Sequence, residues 1–119
     1  MNIKNYDVIV VGTGPTGIFT VMELLKKVDD LSILMLEKGK DITERDCGMK
    51  GEVDRNCQNC PSCSIVSGWG GAGAYSDGKL SLSPSIGGNL DDYIGREKLK
   101  DCIDYADDIY LEFGAPERV

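Results

Sequence analysis

Residues 6–11 are almost continuously apolar, and so are residues 31–36. Between them Ile18, Val21, Met22, Leu25 and Val28 recur at three- and four-residue steps. Short continuous apolar runs predict parallel strands buried on both faces, and the stripe between them predicts an amphipathic helix from Pro15 to about Val28. Pro15 falls in the first turn, where its missing N–H costs little, and Asp29 and Asp30 end the stripe. Strand, helix and strand in this order make a βαβ unit over residues 6–37.

The pattern changes after Glu37. Residues 38–63 are polar, carry runs of charge and include a cysteine-rich loop over 47–63. A glycine-rich stretch follows over 67–88 without helical or strand periodicity. Its length and composition predict either a functional loop or a flexible one, and without a ligand it is expected to be the least ordered part of the chain. The last element is a helix from about Asp91 or Arg96 to Phe113. Leu99, Cys102, Ile103, Ala106, Ile109, Tyr110 and Phe113 form its apolar stripe, with Cys102 expected in the core, and Gly114 and Pro116 close it. The acidic residues of this helix lie off the stripe and read as a solvated face. No third strand is legible, whereas a doubly wound sheet needs more than two. The fold class expected is therefore α/β: the N-terminal βαβ part of a doubly wound, Rossmann-like domain with an incomplete sheet, cut from a longer chain. Open sheet edges in such a fragment predict self-association and weak ligand binding.

Composition narrows the chemistry. The chain has 119 residues, enough for one modest core, and a net charge of −7, which argues against a nucleic-acid partner. No apolar run is long enough to span a membrane, and because Met1-Asn2-Ile3-Lys4-Asn5 leads straight into the first strand, no signal peptide is expected. Five cysteines with no export signal suit a reducing cytoplasm. Histidine is absent, which removes the usual general base, the Ser–His and Cys–His nucleophile pairs and the commonest zinc ligand. Hydrolysis is disfavoured, while redox chemistry on a bound cofactor stays open.

The strand-to-helix turn carries the sharpest signal. Gly12-Thr13-Gly14-Pro15-Thr16-Gly17 is a G-x-G-x-x-G fingerprint, with Glu37 twenty residues beyond it at the end of the second strand. Gly12 permits the tight turn, Gly14 lets backbone approach a pyrophosphate, and Gly17 lets the helix lie close to the sheet. The helix N-terminus suits a diphosphate, and Glu37 can accept hydrogen bonds from adenosine ribose hydroxyls while repelling the 2′-phosphate of NADP. The same fingerprint serves FAD and NAD.

Two resemblances extend this reading. Val8 through Leu36-Glu37-Lys38-Gly39 resembles the N-terminal nucleotide-binding unit of FAD-dependent oxidoreductases, in which the Glu-Lys-Gly ending is typical. Val21 departs from the pattern, standing where many such helices carry Gly or Ala. Gly68-Trp69-Gly70-Gly71-Ala72-Gly73-Ala74-Tyr75-Ser76-Asp77-Gly78-Lys79-Leu80 resembles the signature of a bacterial group of NAD- or FAD-utilizing dehydrogenases, as do Gly87-Gly88 and Phe113-Gly114-Ala115-Pro116. The resemblance implies FAD as cofactor, held by Gly12, Gly14, Pro15, Thr16, Gly17, Glu37 and Lys38. It also implies that Gly70, Gly71, Ala72 and Gly73 lie near the flavin and its pyrophosphate, as the corresponding loop does in fumarate-reductase-like flavoproteins. Lys79 and Asp77 would then face flavin or substrate. Family members are longer than this chain, and their later segments complete the sheet and the substrate region.

Cys57, Cys60 and Cys63 have the spacing of three iron–sulfur ligands, and Cys47 could complete a four-thiolate iron–sulfur or zinc site. Cys60-Pro61-Ser62-Cys63 could instead be a redox dithiol, and a set of reduced loop thiols is the third alternative. The expectation is thus an FAD-binding segment of a cytoplasmic flavin-dependent dehydrogenase acting on an undefined small molecule, with the fragment alone inactive. The alternatives are an NAD-binding module and a cysteine-rich metal-binding or electron-transfer module. No residue is assignable as a catalytic acid or base.

Overall fold

The computed structural model describes residues 3–48, 56–76 and 78–117. The chain divides into two compact units, the first ending at Ser76 and the second beginning at Asp77.

In the first unit, strand β1 (Val8–Val11) leads into helix α1 (Pro15–Lys27), which returns the chain to strand β2 (Ile33–Leu36). The strands pair in parallel with Val8 opposite Ile33 and Val11 opposite Leu36. Further main-chain bonds flank the paired ladder at both ends: the amides of Asp7 and Val8 donate to the Ser32 carbonyl, and the Gly12 amide donates to Leu36 at 2.7 Å. At the open end of the sheet, Asp7 Oδ2 accepts from the Ser32 amide at 2.8 Å, fixing where the two strands begin.

Helix α1 starts as Pro15 at its first position requires, and Lys26 and Lys27 place positive charge at its C-terminus, where the helix dipole favours it. The Val28 amide closes the last turn on the Leu24 carbonyl. The helix lies on the face of β1 that carries Val8 and Val10, both half-buried. The opposite face is open: Ile9 is 57% exposed and Val11 82%. This corrects the expectation of a strand buried on both faces. The continuous apolar run calls for cover on two sides, and among the described residues of this unit only α1 covers β1. The sheet has two strands among the described residues.

Beyond β2 the polar segment is partly organised. Asp41 starts a short 3₁₀ turn (Ile42–Glu44) by accepting the Thr43 amide and hydroxyl on Oδ1 at 3.0 and 2.8 Å. The glycine-rich stretch, expected as an aperiodic loop, folds into a 3₁₀ helix over Gly71–Tyr75.

The second unit contains α2 (Asp91–Ile94) and α3 (Arg96–Glu112), separated by Gly95 at φ +83. Both starting points expected for the last helix are therefore occupied, with a break between them. Helix α3 ends in a Schellman motif. The Gly114 amide donates to Leu111, the Ala115 amide donates to Tyr110, and Gly114 takes the left-handed φ of +93 that the motif demands. The stripe of α3 is only partly covered. Ile109 is buried and Leu99, Ile103 and Ala106 are half-buried, whereas Tyr110, Phe113 and Cys102 are exposed. Cys102 is thus not a core residue, because burial along the stripe centres on Ile109. Among the described residues no helix is long and apolar enough to cross a membrane.

Candidate nucleotide-binding turn

The turn after β1 is built by backbone proximity. Gly12 has φ +99, a conformation that strains any side chain. At Gly17 a Cβ would lie 2.1 Å from the Gly12 carbonyl oxygen and 3.5 Å from Val10 Cγ1. Helix and strand therefore approach too closely for any residue but glycine. Gly14 differs: its φ is an ordinary −70, and a Cβ there would meet nothing within 4 Å. Its lack of a side chain leaves open space beside the first turn of α1. Gly14, the N-cap, has no side chain with which to cap that turn, and the positive end of the helix dipole favours an anion there. Pro15 and Thr16 are exposed there, and the Thr16 carbonyl accepts the Thr20 hydroxyl at 2.7 Å.

Glu37 reaches back from the end of β2 into this turn. Its Oε2 accepts the Thr13 amide at 2.9 Å and the Thr13 hydroxyl at 3.0 Å. Its Oε1 accepts the amides of Gly39 at 2.9 Å and Gly68 at 3.0 Å. The Thr13 and Gly39 amides are the main causes that lower the carboxyl from its ordinary 4.5 to about 2, against the opposing effect of partial burial. A carboxylate offers about four lone-pair positions, and here each faces a protein donor. A ribose hydroxyl would have to share or displace one of them. Thr13, the side chain most deeply buried among the described residues, supplies two of the four donors.

The glycine-rich segment lies against the same turn. The Gly70 amide donates to the Thr13 carbonyl at 2.9 Å, and the Trp69 amide to Lys40 at 3.3 Å. A Cβ at Gly71 would sit 3.2 Å from Gly14 Cα, and one at Gly73 would sit 3.7 Å from the Pro15 ring. Gly70 and Gly71 are half-buried, while Ala72 and Gly73 are exposed. The structure thus brings Gly12, Gly14, Pro15, Gly17, Glu37 and Gly70–Gly73 together. Lys38 is exposed. Lys79 belongs to the second unit, and Asp77 lies outside the described residues.

Arg45 carries no sequence signal and is the organising cation of this region. It is 5% exposed. Its Nε donates to the Ser64 carbonyl at 2.8 Å, Nη1 to Trp69 at 2.9 Å, and Nη2 to Ile65 at 2.7 Å and Gly71 at 2.9 Å. The guanidinium stacks on the Tyr75 ring, 4.7 Å from its centroid, and the Tyr75 hydroxyl donates to the Arg45 carbonyl at 2.8 Å. Its partners are mostly backbone carbonyls, which every residue type possesses, so nothing in the sequence marks them.

The cysteines are free thiols. Cys57 and Cys60 are exposed, and Cys47 and Cys63 half-buried. Among the described residues no three Cys, Asp or Glu side chains converge as a metal site. Cys63 opens a turn in which its carbonyl accepts the Val66 and Ser67 amides. The amides of Val66 and Ile65, followed by the charges of Arg45 and Lys38, hold its thiol below the usual range.

No protein-family model, curated protein or solved structure matches the chain.

Proposed function

We propose that residues 3–76 form a dinucleotide-binding unit whose ligand is FAD, belonging to a flavin-dependent oxidoreductase of the dehydrogenase type. The observation that carries the reading is the 2.1 Å approach of a Gly17 Cβ to the Gly12 carbonyl, set beside the open space at Gly14. One glycine is required by packing and the other keeps space clear, which is the division of labour a pyrophosphate-binding turn needs. The amides of the first turn of α1 would hold the diphosphate. Glu37 would take the adenosine ribose by giving up one of its present donors, and Gly70–Gly73 would border the phosphates. FAD, when bound, supplies hydride or electron transfer; the protein's own residues bind and orient it and shield it from water.

The Glu-Lys-Gly ending at 37–39 favours FAD over NAD, and a cytoplasmic enzyme acting on a small molecule is the setting this reading supports. The protein is expected to purify yellow or to take up FAD stoichiometrically in a fluorescence titration. Tight NAD binding without FAD binding would transfer the site to the nicotinamide cofactor. Binding of neither would end the dinucleotide reading.

A further inference from the structure

The Gly70 amide donates to the Thr13 carbonyl, the Trp69 amide to the Lys40 carbonyl and the Gly68 amide to Glu37 Oε1, each holding the glycine-rich segment at a single point. The Arg45 guanidinium adds contacts to two of its carbonyls at once. Glycines at 68, 70 and 71 all have positive φ, at +127, +81 and +60, and glycine loses more conformational freedom on ordering than any other residue. Left to itself this stretch would sample many conformations. The Arg45 fork reaches it from outside, engaging the carbonyls of Trp69 and Gly71 on either side of Gly70 while its remaining donors grip Ser64 and Ile65. The fit is close: a Cβ on Gly68 would come within 2.7 Å of Arg45 Cδ. Tyr75, at the end of the 3₁₀ helix, closes the same cluster from below the guanidinium plane.

We infer that Arg45 is a positioning residue for ligand binding at the Gly12–Gly17 turn: it sets Gly70 and Gly71 against Gly14 and Pro15 without itself lying in that turn. The ligand half of this inference rests on the FAD reading, whereas the positioning half does not. Only a planar guanidinium can hold carbonyls on both sides of Gly70 at once. A lysine ammonium is a compact point charge whose donors cannot span the same fork.

The test uses full-length protein and the variants Arg45→Lys and Arg45→Ala. Without ligand, amide hydrogen exchange at Gly70 and Gly71 is expected to accelerate by about tenfold or more in both variants, with Val10, Met35 and the core of α1 unchanged. In an FAD titration both variants are expected to lose about tenfold or more in affinity, the loss of one charge-assisted bond's worth of positioning. Millimolar methylguanidinium should restore part of that affinity to Arg45→Ala and none to Arg45→Lys, a response that general destabilisation would not give. Unchanged exchange at Gly70 and Gly71 in variants that keep the β1–α1–β2 protection overturns the proposal, as does wild-type FAD affinity in both. If wild-type protein takes no FAD while exchange still rises at Gly70 and Gly71, the FAD reading and with it the ligand half fail, and the positioning half stands. A variant that loses protection throughout the unit is replaced by Tyr75→Leu, which removes the face under the guanidinium and should free the same two amides.

Discussion

The carboxylate of Glu37 holds Thr13 twice, taking its amide at 2.9 Å and its hydroxyl at 3.0 Å on the same oxygen. The end of the second strand is thereby tied to the turn after the first, twenty-four residues away. The other oxygen carries the tie on to Gly39 and Gly68. Glu37 is thus a junction between the turn after β1, the end of β2 and the glycine-rich segment, beyond the ribose contact expected of it. This adds a consequence for stability that is independent of any cofactor.

That consequence is a pH dependence. The folded carboxyl titrates at about 2, against an ordinary 4.5. A depressed folded value means that the unfolded chain binds the proton more readily. The stability contributed by ionised Glu37 is therefore complete above pH 4.5, declines as pH falls from there, and is gone below about 2. Glu37→Gln removes this titration and turns an NH2 group, which cannot accept, toward two of the four donors. At pH 6 the variant should be less stable by about 2 kcal/mol or more. The urea midpoints of the two proteins should converge as pH drops toward 3. Parallel pH profiles for wild type and Glu37→Gln would show that the carboxylate is not the junction described.

The second and third glycines of the fingerprint should respond differently to substitution. Gly17→Ala drives a methyl group into the Gly12 carbonyl, and neither backbone can yield cheaply, so a loss of about 1–3 kcal/mol in folding stability is expected. Gly14→Val meets open space at an ordinary φ and should stay within about 1 kcal/mol of wild type. On the FAD reading, however, the valine fills the room a diphosphate needs and should abolish flavin uptake. Chemical denaturation and an FAD titration on each variant separate the effects. A fully flavinylated Gly14→Val protein would remove the diphosphate from this turn.

Much of this site is legible from residue types because local rules dictate it. The helix stripe, Pro15 at the helix start, the glycine spacing and the acid ending the second strand each follow from constraints acting over a few residues. The strand limits shrink from six residues to four, since outer residues bond to the partner strand without continuing the regular ladder. The residues that back the turn are not legible. Arg45 sits in a charged stretch like any solvated arginine, and its burial depends on carbonyls brought from residues 64–71 by a path that no periodicity announces. Cys102 fails in the other direction. Its place on an apolar stripe predicts burial, but burial on α3 is concentrated around Ile109, and a stripe says only which face will be covered, not how much of it.

Thr13→Val separates Thr13's two bonds to Glu37. The variant keeps the amide and the side-chain shape but removes the hydroxyl that occupies Oε2. Folding stability should fall by about 1–2 kcal/mol, the scale of one hydrogen bond to a charged acceptor. One acceptor position on Glu37 is then vacant, and if a ribose hydroxyl takes it, FAD affinity should hold or rise despite the lower stability. Loss of affinity in proportion to loss of stability would mean that the ribose does not use this oxygen.

Cys63 supplies the last prediction. Its sulfur receives the Val66 and Ile65 amides, and the nearby charges of Arg45 and Lys38 add smaller pulls in the same direction, so the thiol ionises below its usual range. The thiolate is the nucleophile, and the pH at which a cysteine's alkylation reaches half its limiting rate reports its ionisation. Iodoacetamide labelling followed peptide by peptide from pH 6 to 10 should give Cys63 a midpoint below that of a free thiol in an unstructured peptide. Arg45→Ala should raise that midpoint slightly, because it removes a secondary cause and leaves the two amides in place. A larger rise is expected from Val66→Pro, which deletes the leading donor. If the Cys63 midpoint lies at or above that of a free thiol, the turn over residues 63–67 does not hold the sulfur as described. Its link to the Arg45 cluster would then be confined to backbone.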